Sequence, residues 1–589
     1  MSWARRIQYI LHLSGFLVAG LLLAMSCLFW YFDYDQFVDY VLKVVDKEDW
    51  QTYFRQSVFP KSRFLLVRYI LVLLSIFGLL FLGICFRYSK TWSEEIVKAC
   101  SYFYGLFKQA FSTLPQQQYF GFWLVFGLFL LRSLFHIAYY EIDYDEAWTY
   151  NHFSSKGVLV SMLSPNNNHI LYSISTAIFD YLPIPTKWAI RLPALLSVSF
   201  MLCIFFAYMH KKQGYMAAII SLSILAFSPS VNAYAILARG YGFMMLFTVL
   251  NYISLDAIAV ANKLRQPWLG LYILSAILGV YSNPAFLLLW LPLAALYGFY
   301  YLINNGFGKQ FRSFFFANGL VFLILIILHL PLLLTNGLAI LETASSAAIA
   351  DEAEMDADFW YYLDRVVDWL LCGRKYLLFP LWIVFSFGFS LAAYIRYRRK
   401  AAYWNLVTAA ILLTIPFCWM SLTHIQVPYR LWCAEAIFLA MGLGIVISMM
   451  TRKWSLIWAL VLGGTMAFFS ETHYFLNWSA KLDREAKKIA MTMLRASPEI
   501  TECYSFSRYD KPLLTYYFTI NQRPFKCWMP FKESKDYQRF EDTTFQAVLL
   551  DIDDYKPTEA DWAQIKALPY QLVYENHRIK LFLLKKEEK

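Results

Sequence analysis

The sequence predicts a polytopic α-helical membrane protein with a small α/β domain after its last span. Of its 589 residues, 59% are hydrophobic, 19% aromatic and only 16% charged, and the mean hydropathy is +0.45. A soluble protein of this length needs far more polar side chains to cover its surface. Apolar stretches of about 20 residues recur along the chain, each long enough to cross about 30 Å of hydrocarbon as a helix. They lack the alternation of a transmembrane strand, which argues against a barrel. The basic residues fall in short clusters between these stretches, the pattern that orients a membrane protein.

In chain order, spans are expected at 8–31, 64–86, 119–138, 191–209, 214–232, 242–260, 267–283, 284–303, 314–334, 376–395, 402–421, 432–450 and 454–470, about 13 in all. Arg5 and Arg6 before the first run suggest a signal sequence, but the run continues to Tyr31. That is too long for an ordinary signal core, so an uncleaved first span is expected. Ala24-Met25-Ser26-Cys27 fits a lipoprotein cleavage box poorly at Met25. Asn283-Pro284 separates two adjacent spans as a hairpin signal.

Alternate loops fix the direction. One set holds Arg5/Arg6, Arg87/Lys90/Lys98/Lys108, Lys211/Lys212, Lys263/Arg265, Lys309/Arg312, Arg396/Arg398/Arg399/Lys400 and Arg452/Lys453, with acids only at Glu94 and Glu95. The other set carries Asp33, Asp35, Asp143, Asp145, Glu146, Glu352, Glu354, Asp356 and Asp358. The N-terminus is therefore expected inside, and an odd number of spans puts residues 471–589 outside. The longest outer loops are 32–63, 139–190 and 335–375, and residues 170–182 are apolar enough to lie in the interface.

Residues 471–589 are more polar, with a helical stretch from Asp483 to Leu494 and strand-like pieces Phe545–Leu550 and Ile579–Leu584. The expected organisation is an extra transmembrane hairpin with its connecting loop (1–118), a transmembrane core (119–470) and an outer-face α/β domain (471–589). The net charge of +11 follows from the orienting clusters, so no nucleic-acid partner is expected. Most of the nine cysteines lie in apolar spans; Cys503 and Cys527 are in the polar segment and would pair if it faces an oxidising compartment. No CxxC or His/Cys cluster suggests zinc.

The third span ends in Glu141-Ile142-Asp143-Tyr144-Asp145-Glu146-Ala147-Trp148. Four acids in six residues against a membrane are costly unless solvated, paired or used. A solvated acidic cap is one reading; a general base or a metal site is the other. Asn166-Asn167-Asn168-His169 follows in the same loop and Arg191-Leu192-Pro193 opens the fourth span, readable as a capping loop and a headgroup anchor, or as site residues. Arg239, in Ala238-Arg239-Gly240-Tyr241, and Arg430, in Pro428-Tyr429-Arg430, sit at outer ends of later spans. Guanidinium forks suit phosphate oxygens, and a carboxylate suits an incoming hydroxyl.

Asp145-Glu146-Ala147 after an apolar span resembles the Asp-Glu motif in the first outer loop of GT-C fold glycosyltransferases. The closest pattern is glycosyltransferase family 39, the group of protein O-mannosyltransferases and aminoarabinose transferases. Asn168-His169-Ile170-Leu171 stands where bacterial members carry Asn-His-Pro-Leu or His-Pro-Pro-Leu. Ala189-Ile190-Arg191-Leu192-Pro193-Ala194 is similar to the Arg-Leu-Pro-Ser segment, Ala238-Arg239-Gly240-Tyr241 to Ala-Arg-x-Tyr, and Pro428-Tyr429-Arg430 to the late Arg-Tyr segment. The resemblance covers 139–450 and departs from the family in three ways. Two extra spans precede the Asp-Glu motif, Ile170 replaces proline, and the arginine and tyrosine that follow the motif in aminoarabinose transferases are missing.

The resemblance implies a GT-C-like core that passes a sugar from a polyprenyl phosphate to an acceptor hydroxyl by an inverting single displacement. Asp145 is then the expected general base and Glu146 its orienting neighbour. Arg239, Arg430 and His169 are expected on the donor phosphate, with Asp143, Asn168, Tyr241 and Arg191 positioning substrate. No cofactor is required; a divalent metal is compatible with the carboxylates, but the guanidinium groups already supply the charge. The implied partners are the polyprenyl-phosphate sugar, an acceptor protein, glycolipid or glycan, and the bilayer. The implied location is a bacterial inner membrane with a periplasmic C-terminal domain. A transporter or flippase would instead place ionisable residues deep within spans of two related halves. An oligosaccharide polymerase would gather its arginines in two large outer loops.

Overall fold

A long apolar run offers its backbone no polar partner but itself, and so it closes into a helix. The computed structural model follows this rule. It describes residues 2–44, 51, 54–112, 115–163, 168–261, 266–336, 366–370, 388–389, 391, 400–423, 428–450, 455–472, 480–496, 499–507, 510–529, 540, 545–551, 558–575 and 579–584. The expected span at 376–395 and the acids Glu352, Glu354, Asp356 and Asp358 lie outside the described residues, as do Asn166 and Asn167, apart from isolated positions of that span.

Seven described helices are long and apolar enough to cross a membrane, or eight if one bent pair counts as a span. The chain opens with α1 (Trp3–Tyr31), the amphipathic α2 (Tyr34–Val44) and the long α3 (Lys61–Ser112). α1 lies against α3, and Arg68 of α3 donates to the carbonyls of Phe29 and Phe32 at 2.6 and 2.7 Å, satisfying the C-terminal end of α1. α2 turns Val38 and Leu42 into a small core with Phe59 and Phe64.

Next come α4 (Gln116–Tyr139), the short α5 (Tyr144–His152), α6 (Val158–Leu163), α7 (Ile170–Phe179) and α8 (Thr186–Gln213). α9 (Tyr215–Phe227) and α10 (Pro229–Ile236) form the bent pair, inclined at 61°. Pro229 cannot continue the hydrogen-bond ladder, and the residue before proline avoids helical geometry. Asn232 then donates to the carbonyls of Ala226 and Ser228 at 2.9 and 2.8 Å, so the break leaves these groups paired. The remaining apolar helices are α11 (Tyr241–Ala261), α12 (Gln266–Ser282), α13 (Leu287–Asn305), α14 (Lys309–Asn336), α15 (Lys400–Thr423), α16 (Glu435–Met450) and α17 (Ser455–Ser470). One large apolar core joins α4, α8, α9, α11 and α16.

Two carboxylates on the apolar helices are buried. Asp256 in α11 is buried and meets Lys212 Nζ at 2.6 Å, the ammonium being what lets a carboxylate sit there. Glu435, in the first turn of α16, is also fully buried.

The C-terminal segment folds as α18 (Ala480–Ala496), α19 (Asp510–Ile520), α20 (Glu559–Ala567) and five strands: β1 (Glu502–Ser505), β2 (Lys526–Trp528), β3 (Ala547–Asp551), β4 (Tyr570–Glu575) and β5 (Ile579–Leu584). The sheet order is β2-β1-β3-β5-β4, with β1 parallel to both β2 and β3. Cys503 and Cys527 are register partners on β1 and β2, and both stand as buried thiols. This domain does not merely follow the last span. Ala486, Ile489 and Leu513 share a core with Ile142, Ala147 and Tyr150 on and beside α5.

Candidate active site

The site begins where α4 runs out of apolar sequence. Asp143 caps α5 through a capping box with Glu146, a pattern that Asp-x-x-Glu favours. The turn of α5 sends Asp145 and Thr149 to one side and Glu146 and Tyr150 to another, because residues four apart share a helix face.

Glu146 is buried and saturated. Its two oxygens accept from Arg191 Nε at 2.8 Å and Nη2 at 2.5 Å, from the Ala238 N–H at 2.6 Å and from the Asp143 N–H at 2.9 Å. Arg191 in turn donates to the carbonyls of Tyr140 and Glu141 at 2.8 and 2.7 Å. Arg191 is therefore a buried strut and not a headgroup anchor, and neither it nor Glu146 has hydrogen-bonding capacity left for a substrate. Together they lock α5, the start of α8 and the turn after α10 into one body. Glu146, expected as the orienting neighbour of Asp145, and Arg191, expected on substrate, both spend their hydrogen bonds on the scaffold.

That locked turn delivers Arg239. Its side chain is 2% exposed, and Nη2 lies 3.6 Å from Asp145 Oδ2. Nη1 donates to Thr149 Oγ1 at 3.1 Å, and the same hydroxyl donates to the Asp145 carbonyl at 2.8 Å. Arg430 arrives from a single 3-10 turn (Tyr429–Trp432) ahead of α16, with Nη1 at 3.4 Å from the same Asp145 oxygen. Asp145 is 27% and Arg430 41% exposed, so the meeting point opens to solvent. Both contacts exceed the 2.7–2.9 Å of a tight ionic hydrogen bond. The cations flank Asp145 without gripping it.

His169 forms the inner wall. Its Nδ1 is 3.3 Å from the Ser282 carbonyl, and its ring lies 5.0 Å from that of Tyr241, itself stacked at 4.1 Å on Tyr234. A Cβ on Gly240 would stand 2.6 Å from the Ser282 oxygen and 2.8 Å from His169 Cβ, so only glycine permits this approach. Burial, and then Arg239, hold the imidazole well below the ordinary histidine pKa, with Arg430 adding to the effect. Asp143 moves the other way, to about 7, through burial and the neighbouring Glu146 and Asp145 carboxylates.

Asn168 serves the scaffold, donating to the Ser161 carbonyl at 2.6 Å and accepting from Ser173 Oγ at 2.7 Å. Thr149, Gly240 and Ser282 belong to the site although nothing in the sequence marks them. Gly240 was visible only as the residue after Arg239, and Ser282 only as the neighbour of a hairpin signal. Behind α5, Glu141 accepts from Lys487 Nζ at 2.8 Å and Asn151 donates to the Pro512 carbonyl at 2.8 Å. The C-terminal domain thus backs the helix that carries Asp145. Among the described residues, no group of three or more His, Cys, Asp or Glu side chains converges as a metal site would require.

No family model matches the chain, and no curated protein matches it in sequence. Among solved structures it is similar to that of ArnT from Cupriavidus metallidurans bound to undecaprenyl phosphate, at 13% identity and a TM-score of 0.49, over 78% of this chain and 97% of that one. It is also similar to the apo state of the same ArnT, at 13% identity and a TM-score of 0.48, with the same coverage.

Proposed function

We propose that this integral membrane protein is a GT-C-type glycosyltransferase that moves a sugar from a polyprenyl-phosphate donor to an acceptor hydroxyl. One observation carries the reading: Asp145, in the first turn of α5, meets Arg239 and Arg430 from two distant parts of the chain at 3.6 and 3.4 Å. A carboxylate suited to take a proton and two guanidiniums suited to take phosphate charge occupy one solvent-open point at the ends of apolar helices.

In this mechanism the lipid tail stays in the bilayer and the donor phosphate enters between Arg239 and Arg430. Its oxygens replace Asp145 as their counter-ion and leave the carboxylate to the acceptor. Asp145 accepts the proton of the attacking hydroxyl as the new bond forms at the anomeric carbon. The bond to the phosphate oxygen breaks from the opposite face, which inverts the configuration. The leaving group is a phosphate, so no second carboxylic acid is needed to protonate it, unlike in glycoside hydrolysis. Preorganised guanidiniums stabilise the charge that develops on it.

In this reading residues 119–470 are the catalytic core, 1–118 an added hairpin, and 471–589 a domain on the outer, periplasmic face of a bacterial inner membrane. Incubation of the purified protein with a panel of polyprenyl-phosphate sugars tests the proposal. It predicts hydrolysis or transfer from at least one of them.

A further inference from the structure

We propose that His169 is a catalytic proton acceptor: neutral while the site is empty, and protonated on Nε2 when the departing phosphate gains its second negative charge. The inference rests on the polyprenyl-phosphate reading above and goes beyond it by giving one residue a change of state.

The argument starts from the Ser282 carbonyl, which can only accept. His169 Nδ1 faces it at 3.3 Å and therefore carries the N–H. A neutral imidazole with its proton on Nδ1 presents a bare lone pair at Nε2. That nitrogen is buried and has no hydrogen-bond partner among the described residues. The ring has little freedom to turn and find one: Gly240 packs against its Cβ and the Tyr241 ring lies across it. A buried polar atom left unpaired is destabilising and calls for a partner that arrives.

The charged and titratable groups around the ring set the direction of the change. Arg239 and Arg430 oppose a third positive charge in the empty site, as burial does. Asp145 lies against both guanidiniums. The Tyr241 ring beside His169, the Tyr234 ring stacked on it and the Cys433 thiol complete the set of titratable groups around the ring. A sugar phosphodiester brings one negative charge, whereas the phosphomonoester that leaves brings two. Only the second state supplies enough negative charge to hold a proton on Nε2. The interaction is thus stronger late in the reaction than at its start, which is what catalysis requires.

The balance closes. The acceptor proton passes to Asp145 and from there to water. The electron pair of the broken carbon–oxygen bond goes to the phosphate, and water reaching the solvent-open side of the site at Asp145 and Arg430 supplies the proton that Nε2 holds against a phosphate oxygen.

The test uses the full-length protein in detergent, with histidine-selective 15N labelling and a short-chain polyprenyl phosphate as probe. The His169 Nε2 signal, assigned by its loss in His169→Gln, is expected to move from the bare to the protonated range with the phosphomonoester. It should stay bare with a methyl phosphodiester of the same lipid. Titration calorimetry in two buffers of different ionisation enthalpy should show wild type taking up about one proton more per site than His169→Gln or His169→Asn, a difference in which Asp143 cancels. Phosphomonoester binding with Nε2 bare throughout, or with equal proton counts, overturns the role of His169 alone. Failure of wild type to bind the phosphomonoester overturns the donor reading as well.

Discussion

Asp145 and Arg430, 285 positions apart in the chain, meet at 3.4 Å in front of the buried Arg239. The length and exposure of this contact define its use. A structural ion pair of this kind would be short, two-pronged and enclosed, as Glu146–Arg191 is. The Asp145 contacts are long and open to water, so an anion entering from the bilayer surface can take the guanidiniums over.

The two arginines should therefore not be equivalent. Arg239 is enclosed and tied to Thr149, so Arg239→Ala should lower kcat by about 100- to 1000-fold, the scale of losing one fixed electrostatic donor. Arg430, more exposed and on a single turn, should act more on donor binding, with Arg430→Ala raising KM and Arg430→Lys restoring part of it. Steady-state kinetics with varied donor separates the two effects.

Gly240 predicts a steric phenotype. In Gly240→Ala the new methyl group meets the Ser282 carbonyl and His169 Cβ, so the backbone must shift by several tenths of an ångström. A destabilisation of about 1–3 kcal/mol is expected, with donor affinity reduced because His169 moves. Thermal unfolding followed by fluorescence, with lipid-phosphate binding on the surviving fold, checks both.

Glu146 and Arg191 should behave as a brace. Arg191→Met leaves a buried carboxylate uncompensated and should cost about 3–5 kcal/mol. The double variant Arg191→Met/Glu146→Leu should regain much of that stability. It should not regain activity, because the Ala238 N–H loses the acceptor that positions Arg239. Thermal midpoints and transfer rates measured on both variants distinguish a brace from a group that touches substrate.

Asp143 predicts a pH-dependent stability change. Its folded pKa is raised to about 7 from an ordinary 3.8. Below the ordinary value the carboxyl is protonated in both states and carries no penalty. As pH rises towards about 7 the unfolded chain ionises first, and the folded state loses stability until its own carboxyl ionises. Asparagine caps a helix as well as aspartate does. Asp143→Asn should therefore match wild type near pH 4 and exceed it at pH 8, by up to about 4 kcal/mol, less whatever water screens at this half-buried position. Unfolding midpoints across that pH range check the sign.

The sequence exposed different layers of this structure to different degrees. Apolar length announced the seven or eight described helices able to cross a membrane, because hydrocarbon thickness and backbone satisfaction act on every residue of a run. Ser228-Pro229 did not announce a 61° bend, because proline states where a ladder breaks and not at what angle. In the C-terminal segment, Phe545–Leu550 and Ile579–Leu584 were visible as strands, but not their pairing through β3 and β5, which depends on contacts distant in sequence. Asp145, Arg239 and Arg430 were legible as charges at span ends; their convergence was not. Glu146 and Asp145 look alike in sequence, and only packing decides that one is saturated by Arg191 while the other faces water. Gly240 and Ser282 carry no chemical signal of their own and matter only through what they touch.

The most direct measurement is sugar transfer by Asp145→Asn in purified, correctly inserted protein, against wild type and the full panel of polyprenyl-phosphate sugars. Loss of a general base predicts a fall of about 100- to 10,000-fold, with the fold and lipid-phosphate binding retained. Transfer at the wild-type rate by Asp145→Asn would contradict the account.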